Sequence, residues 1–220
     1  LPLQARLRGA RPPEPVASAT GGRRPTVVAC CPRTLAQGVA PGLTASAARV
    51  LALDLVVHPR DAAAERATLE GVAAWAQQFT PTACLAPPDA VLLETGGSLR
   101  LFGGMERLAG RLRVGLKELG LVAVIAAAPT ALGAELLARG GQVTLIADID
   151  ALRAALEPLP LSLLGLDAAT LESLAGVGAE TLGDCLRLPR DGLARRYGQA
   201  LADALDRALG RLPDPRRPFV

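Results

Sequence analysis

Four cysteines and one histidine are the side chains that could bind a transition metal. The cysteines are Cys30, Cys31, Cys84 and Cys185, and the histidine is His58. No two cysteines have CxxC spacing, whereas a structural zinc site needs about four nitrogen or sulfur ligands at short spacings. The spacing therefore supports neither a zinc site nor a disulfide framework. We expect small, buried, apolar thiols in a reducing cytoplasm.

Two glycine-containing turns near the C-terminus could bind phosphate. Glycine lets the backbone approach an anion closely, and the N-terminus of the following helix adds a favourable dipole. Such contacts hold a DNA backbone without reading its sequence. The alternative is an ordinary helical packing unit in which the glycines end helices. The predicted DNA contacts are Gly165 in the first turn and Arg195, Arg196, Gly198, Gln199 and Ala200 around the second.

The charge of the chain is unevenly distributed. The net charge is +3, but residues 1–60 carry eight arginines against two acids, residues 61–159 sum to −3 and residues 160–220 to zero. The basic first part could bind a polyanion. A solvated basic face is the alternative. With 220 residues and half of them apolar, the chain can form one large or two small domains.

Two features concern the context of the chain. No run of 18 apolar residues occurs, so we expect no membrane span. The first residues, Leu1-Pro2-Leu3, include neither a starting Met nor a signal-peptide pattern, so we expect a fragment of a cytoplasmic protein.

The elements that position these residues alternate between helix and strand up to residue 157. Residues 10–25 predict a loop. Helices are predicted to start at Thr44, at Asp61 and at Pro129-Thr130, and another runs from Phe102 to Gly120. Pro87-Pro88-Asp89 predicts the tight turn of a hairpin. Apolar runs predict strands over residues 26–31, 55–58, 83–86, 90–94, 121–128 and 143–147.

The pattern changes after Pro160, where no strand is evident. Short helices punctuated by glycine are predicted over residues 170–174, 181–186, 192–197 and 199–209, and the tail at 213–220 predicts the start of a linker. The first part is typical of an α/β sandwich with helices on one sheet face, and the second of a separate all-α module from about residue 158.

Several segments resemble a known family. Residues 36–43 (AQGVAPGL), followed by Ala47-Ala48-Arg49, resemble a fingers signature, and residues 92–104 (LLETGGSLRLFGG) resemble a highly specific palm motif. Residues 128–139 resemble a palm helix and residues 181–210 a thumb. The chain thus resembles the Y-family translesion DNA polymerases, and especially their ImuB branch.

The resemblance implies an α+β fold. Its parts are a palm built as a ferredoxin-like α/β sandwich, a small fingers subdomain and an all-α helix–hairpin–helix thumb. The palm would comprise residues 1–9, without its first strand, and 61–157. The fingers would comprise residues 10–60 and the thumb residues 158–220. A little finger would follow the tail.

The resemblance also implies that the catalytic site is degenerate. Nucleotidyl transfer needs carboxylates that bridge two metal ions and cations on the triphosphate. The metal-bridging Asp position falls on Pro88 and the adjacent Glu position on Asp89, while Glu94 is interpreted as structural. An acid in place of a phosphate-binding cation repels phosphate. The triphosphate-binding positions fall on Pro32, Leu35, Ala131 and Glu135.

No catalytic residue, nucleotide site, metal or cofactor is therefore predicted. Mg would be required only if the chain were an active polymerase. In the thumb, the first hairpin has Asp167 where the family has glycine. We therefore expect the second hairpin, around Gly198, to be the more important DNA contact.

Three hypotheses follow. The leading one is a non-catalytic scaffold in DNA damage-induced mutagenesis that engages primer–template DNA. Its further partners would be a sliding clamp, an ImuA-like protein and an error-prone C-family polymerase, bound through downstream segments. The second is an active translesion polymerase with unusual ligands. The third is a protein-binding module that makes no DNA contact.

Overall fold

The computed structural model describes residues 3–4 and 15–220. Apart from Leu3 and Gln4, the predicted N-terminal piece of the palm, residues 1–9, lies outside the described residues. The described chain divides into two compact units. The first takes its residues from 1–98, 110–123 and 218–220, and the second comprises Leu99–Ala109 and Val124–Arg217. The predicted boundaries of palm, fingers and thumb stay a prediction.

A three-stranded sheet opens the first unit. Strand β1 (Val16–Ala19) lies in the centre, antiparallel to β2 (Val27–Cys30) and parallel to β3 (Val56–Pro59). The predicted loop over residues 10–25 is therefore wrong at β1. All four β1 residues are buried, but they are mostly small, so the surrounding Pro, Gly and Arg residues masked the strand signal.

Two short helices cover this sheet, α1 (Pro32–Ala36) and α2 (Ala45–Leu51). The predicted cap is confirmed, because the Thr44 hydroxyl accepts a hydrogen bond from the Ala47 N–H at 3.2 Å. The core of this part consists of small and medium apolar residues: Ala17, Val27, Val39, Ala48, Ala52 and Leu55.

A long helix and a hairpin complete the first unit. Helix α3 (Ala62–Ala76) begins at Asp61, whose Oδ1 accepts from the Ala64 N–H at 2.9 Å, as predicted. Strands β4 (Ala83–Ala86) and β5 (Ala90–Leu93) form the predicted antiparallel hairpin. The end of the tail contacts this hairpin, because the Phe219 N–H donates to the Ala83 carbonyl at 2.7 Å.

Two helices follow the hairpin, α4 (Leu99–Phe102) and α5 (Met105–Glu118). The C-terminal part of α5 belongs to the first unit and packs closely on the indole of Trp75. A Cβ atom built at Gly115 would lie 2.2 Å from Trp75 Cζ2. Trp75 also forms an edge-to-face pair with Phe79, with ring centroids 5.2 Å apart.

The second unit is helical. Its elements after residue 124 are α6 (Ala131–Arg139), α7 (Ile149–Leu156), a 3₁₀ helix (Leu161–Leu164), α8 (Ala168–Ala175), α9 (Leu182–Arg187), α10 (Arg190–Tyr197) and α11 (Gln199–Ala208). The helices predicted after Pro160 are confirmed, and residues 160–220 contain no strand. One leucine-rich core runs through the unit from Leu136 on α6 to Leu209 after α11.

Two predicted strands are absent from the described structure. Over residues 121–128 and 143–147, only an isolated parallel bridge between Ala127 and Leu145 forms. The prediction of a buried strand at 121–128 is wrong, since 80% of Val122 is exposed. A strand needs a neighbouring strand along its length, and in the described structure these two segments pair with each other only at this bridge. None of the helices in the described ranges is long and apolar enough to cross a bilayer.

Candidate functional site

The β4–β5 hairpin fixes the residues at the predicted metal position. Ala86 pairs with Ala90, so Pro87, Pro88 and Asp89 form the turn, and all three are exposed. The Pro88 side chain has no atom that can bind a metal. The pairing of Ala86 with Ala90 ends both strands before the turn, so neither Pro88 nor Asp89 belongs to a strand.

Glu94 holds the turn that precedes α4. Its Oε1 accepts a hydrogen bond from the Gly96 N–H at 2.8 Å, and its backbone N–H donates to the Thr82 carbonyl at 3.0 Å. The Thr80 hydroxyl donates to the Glu94 carbonyl. This geometry supports the interpretation of Glu94 as a structural residue.

The cysteines divide into two classes. Cys84 and Cys185 are buried as expected, but Cys30 and Cys31 are only partly buried, which corrects the prediction for these two. They lie at the end of β2 and the start of α1, at the edge of a small core that does not enclose them. In the described part of the chain, no group of three or more His, Cys, Asp or Glu side chains could hold a metal ion.

The environments of the thiols differ. Burial, assisted by the charge of Asp184, raises the pKa of Cys185 to about 11. For Cys31, burial acts to raise the pKa, but hydrogen bonds with the Thr34 side chain and with the Val16, Thr34 and Arg33 backbone outweigh it and lower the pKa. Cys31 Sγ lies 3.1 Å from Thr34 Oγ1.

Helix α1 carries the first two triphosphate-binding positions of the resemblance. Its buried Thr34 donates to the Val16 carbonyl at 3.2 Å and anchors the helix on β1. Pro32 and Leu35 lie on its exposed side. Neither side chain has a charge or a hydrogen-bond donor for a phosphate group.

Helix α6 carries the other two positions one turn apart, at Ala131 and Glu135. Glu135 is 6% exposed, and its carboxylate accepts from Arg139 through Oε1 and from Arg216 Nη1 through Oε2 at 2.9 Å. We expected Glu135 to repel phosphate. Instead, two guanidinium groups of the same chain compensate its charge.

The first thumb turn contains Gly165, which has φ of +69° and donates its N–H to the Ser162 carbonyl at 3.2 Å. Asp167 then caps α8, because its two carboxylate oxygens accept from the backbone N–H and the hydroxyl of Thr170, each at 2.8 Å. These bonds lower the pKa of Asp167. A fixed negative charge therefore occupies the helix start that a phosphate would approach.

The second turn joins α10 to α11 through Gly198, which has φ of +91°. The Gly198 N–H donates to the Ala194 carbonyl at 3.1 Å, so it is not available to a phosphate. Gln199 and Ala200 are exposed in the first turn of α11, where backbone N–H groups have no intrahelical acceptor.

Arginine side chains flank this second turn. Arg195 is exposed, and its Nε donates to the Asp191 carbonyl at 3.2 Å. The Arg196 guanidinium lies 5.4 Å from the centroid of the Tyr197 ring. Neither arginine forms an ion pair with a carboxylate that the structure describes.

Ion pairs elsewhere in residues 160–220 occupy many of the remaining charges. This region is neutral overall, and Arg195 and Arg196 beside the second turn are not among the arginines of these pairs. The pairs join Arg187 to Asp184, Arg190 to Asp203 and Asp206, Arg207 to Asp203, Arg211 to Asp206, and Arg216 to Asp214. The sequence analysis missed the pairs across the second hairpin, because Arg190 and Asp206 lie 16 residues apart and such spacing carries no periodic signal.

Comparison with protein-family models matches residues 6–139 to the impB/mucB/samB family. The chain belongs to this family. Protein ImuB from two strains of Caulobacter vibrioides, NA1000 / CB15N and ATCC 19089 / CIP 103742 / CB 15, is 37% identical over 173 residues. The match covers 79% of the chain and 38% of each relative, so the chain spans less than two fifths of their length. The resemblance to Y-family polymerases and to ImuB is confirmed.

Solved structures support the same fold. DinB from Sulfolobus solfataricus aligns with a TM-score of 0.72 at 18% identity, over 98% of this chain and 64% of that one. The insertion ternary complex of Dbh DNA polymerase aligns with a TM-score of 0.73, also at 18% identity, over 97% and 64%. The predicted α+β fold of a Y-family polymerase is confirmed.

Proposed function

We propose that this chain is the polymerase-like core of a non-catalytic scaffold in DNA damage-induced mutagenesis. The family membership and the likeness to ImuB support a role in this process. The proposal that the chain is not catalytic rests on one observation. Ala86 pairs with Ala90, so Pro88 and Asp89 lie in an exposed turn.

The residues around this turn fit a two-metal site poorly. Mg²⁺ is bound by oxygen ligands, mostly carboxylates and phosphates. Pro88 supplies none, and Asp89 supplies one carboxylate. The Glu94 carboxylate is engaged by the Gly96 N–H. These residues alone would therefore not hold the two metal ions that nucleotidyl transfer needs.

The second thumb turn is the proposed DNA contact. It combines exposed helix-start N–H groups at Gln199 and Ala200 with the guanidinium groups of Arg195 and Arg196. Backbone donors and arginines bind phosphate oxygens without reading bases. The first turn, at Gly165, contributes less because the Asp167 carboxylate opposes phosphate there.

The partners proposed beyond DNA are a sliding clamp, an ImuA-like protein and an error-prone C-family polymerase. They would bind through segments outside this chain. In this arrangement the chain holds primer–template DNA weakly, and the recruited polymerase carries out synthesis.

Primer extension by the full-length protein, with Mg²⁺ or Mn²⁺, tests the proposal. We expect no incorporation above a buffer control, together with DNA binding that weakens as salt increases. Template-directed incorporation that is lost on Asp89→Ala would establish an active polymerase instead. Absence of DNA binding at low salt would leave the protein-binding module as the remaining hypothesis.

A further inference from the structure

A partly buried ion-pair cluster joins the chain after α11 to α6. Arg216 donates from Nη1 to Oε2 of Glu135 at 2.9 Å and from Nη2 to Oδ2 of Asp214 at 2.7 Å. The exposed fractions of the three side chains are 25% for Arg216, 7% for Glu135 and 16% for Asp214. An ion pair this well covered is screened less by salt than an exposed one.

A second contact lies one turn earlier on α6. The Thr130 side chain accepts from the Gly133 N–H at 3.1 Å, which caps α6, and donates to the Ala208 carbonyl at 2.7 Å, at the end of α11. A Cβ atom at Gly210 would lie 3.2 Å from Thr130 Cγ2, and Leu209 is buried. The end of α11 therefore meets the start of α6 at Thr130, and the chain after α11 meets α6 again at Glu135.

We propose that residues 209–217 form a strap along α6, which starts beside the Thr130–Ala208 hydrogen bond and is locked by the Glu135–Arg216 ion pair. This inference goes beyond the proposed function and does not rest on DNA binding. A buried carboxylate is stable only when it is paired. Removing Arg216 leaves Glu135 with Arg139 alone, and removing the charge of Glu135 leaves Arg216 with only Asp214, on the strap itself. Either change releases the strap.

Two measurements on the same variants test the strap. The first is the ¹⁵N heteronuclear NOE of the Asp214, Arg216 and Arg217 amides. The second is the rate of trypsin cleavage after Arg211, followed by mass spectrometry. The variants are Glu135→Gln, Arg216→Gln and both together, with Arg217→Gln as the control that removes an adjacent exposed charge. Far-UV circular dichroism shows whether each variant is folded.

We expect each single variant to lower the NOE values at residues 214–217 and to increase cleavage after Arg211 several-fold, while residues 131–139 keep their NOE values. The double variant should be no more mobile than either single variant, and Arg217→Gln should match the wild type. If Glu135→Gln fails to fold, Arg216→Gln, on the partly exposed strap, still gives the result. Low NOE values in the wild type, or unchanged values in folded Arg216→Gln, would overturn the proposal.

Discussion

Arg190 donates from Nε to Oδ2 of Asp206 at 2.6 Å and thereby joins the start of α10 to the end of α11. The two helices meet at Gly198, so this pair lies at the opposite end of the helical hairpin from the turn. Asp203 adds a contact to Arg190 Nη2 at 3.3 Å. We expect this ion pair to hold the angle between the two helices, and with it the direction of the N–H groups at the second turn.

This relationship gives the first prediction. Asp206→Asn removes a negative charge, which on electrostatic grounds alone would tighten DNA binding. Because it also loosens the α10–α11 pair, we expect the affinity for a primer–template duplex to fall several-fold. Fluorescence anisotropy at fixed salt measures the change. Tighter binding would show that Asp206 acts only through its charge.

The arginines beside Gly198 give the second prediction. Replacing Arg195 and Arg196 with alanine should weaken DNA binding and reduce its salt dependence, because fewer counterions are released. For duplex DNA the slope of log K against log salt should become shallower by about 0.9 for each phosphate that the variant no longer binds. The double variant Arg113→Ala/Lys117→Ala, on exposed positions of α5, is the control of equal charge. An unchanged slope in the Arg195/Arg196 variant would place the DNA-binding surface elsewhere.

Two glycines of α5 give the third prediction. At Gly115 a methyl group would lie 2.2 Å from the indole of Trp75, whereas at Gly110 it would have no atom within 4 Å. Gly115→Ala should destabilise the fold by about 1–3 kcal/mol through overpacking. Gly110→Ala should be neutral or stabilising by up to about 1 kcal/mol, because alanine favours the helix. Urea unfolding monitored by tryptophan fluorescence compares them, and equal effects would contradict the packing argument.

The fourth prediction concerns thiol reactivity. The lowered pKa of Cys31 gives it more thiolate at neutral pH than Cys185, whose burial raises its pKa to about 11. Because the thiolate is the nucleophile, iodoacetamide at pH 7.5 should modify Cys31 first and Cys185 last. Peptide mass spectrometry over time gives the order. Thr34→Val, which removes the hydroxyl bond to Cys31, should slow that modification.

The fifth prediction concerns acid stability. Hydrogen bonds from the Thr181 hydroxyl and the Thr181 and Glu180 N–H groups lower the pKa of Asp184 to about 2. A carboxyl group whose pKa is lowered on folding stabilises the protein above its ordinary pKa of about 3.9, and this contribution is lost as the pH falls through the folded value. The wild type should therefore lose stability relative to Asp184→Asn between about pH 4 and pH 2. Thermal unfolding across that range measures the difference, and parallel curves would contradict the lowered pKa.

The sequence predicted those elements whose signals are local. Thr44, Asp61 and Thr130 cap helices at the predicted residues, because a side-chain oxygen two or three residues before a backbone N–H suffices for the bond. The hairpin at Pro87–Asp89 was equally local. Strand β1 was missed because its small residues lie among Pro, Gly and Arg, which masked the strand signal. Residues 121–128 were misassigned because an apolar run does not say whether a partner strand is present.

The same distinction applies to the candidate site. The degenerate position at Pro88 could be recognised from a motif. The pairing of Glu135 with Arg216 could not, since 81 residues separate them. Glu135, whose carboxylate we expect from the sequence to repel phosphate, instead binds Arg216 of the same chain.

The leucine core that runs from Leu136 to Leu209 crosses residue 157 without a break. Leu152 and Leu156 before that point pack in the same cluster as Leu161 and Leu174 after it. Recombination that exchanged only the last sixty residues between relatives would leave each half with an unmatched apolar face. Helices α6 and α7 therefore depend for their burial on the helices that follow residue 157.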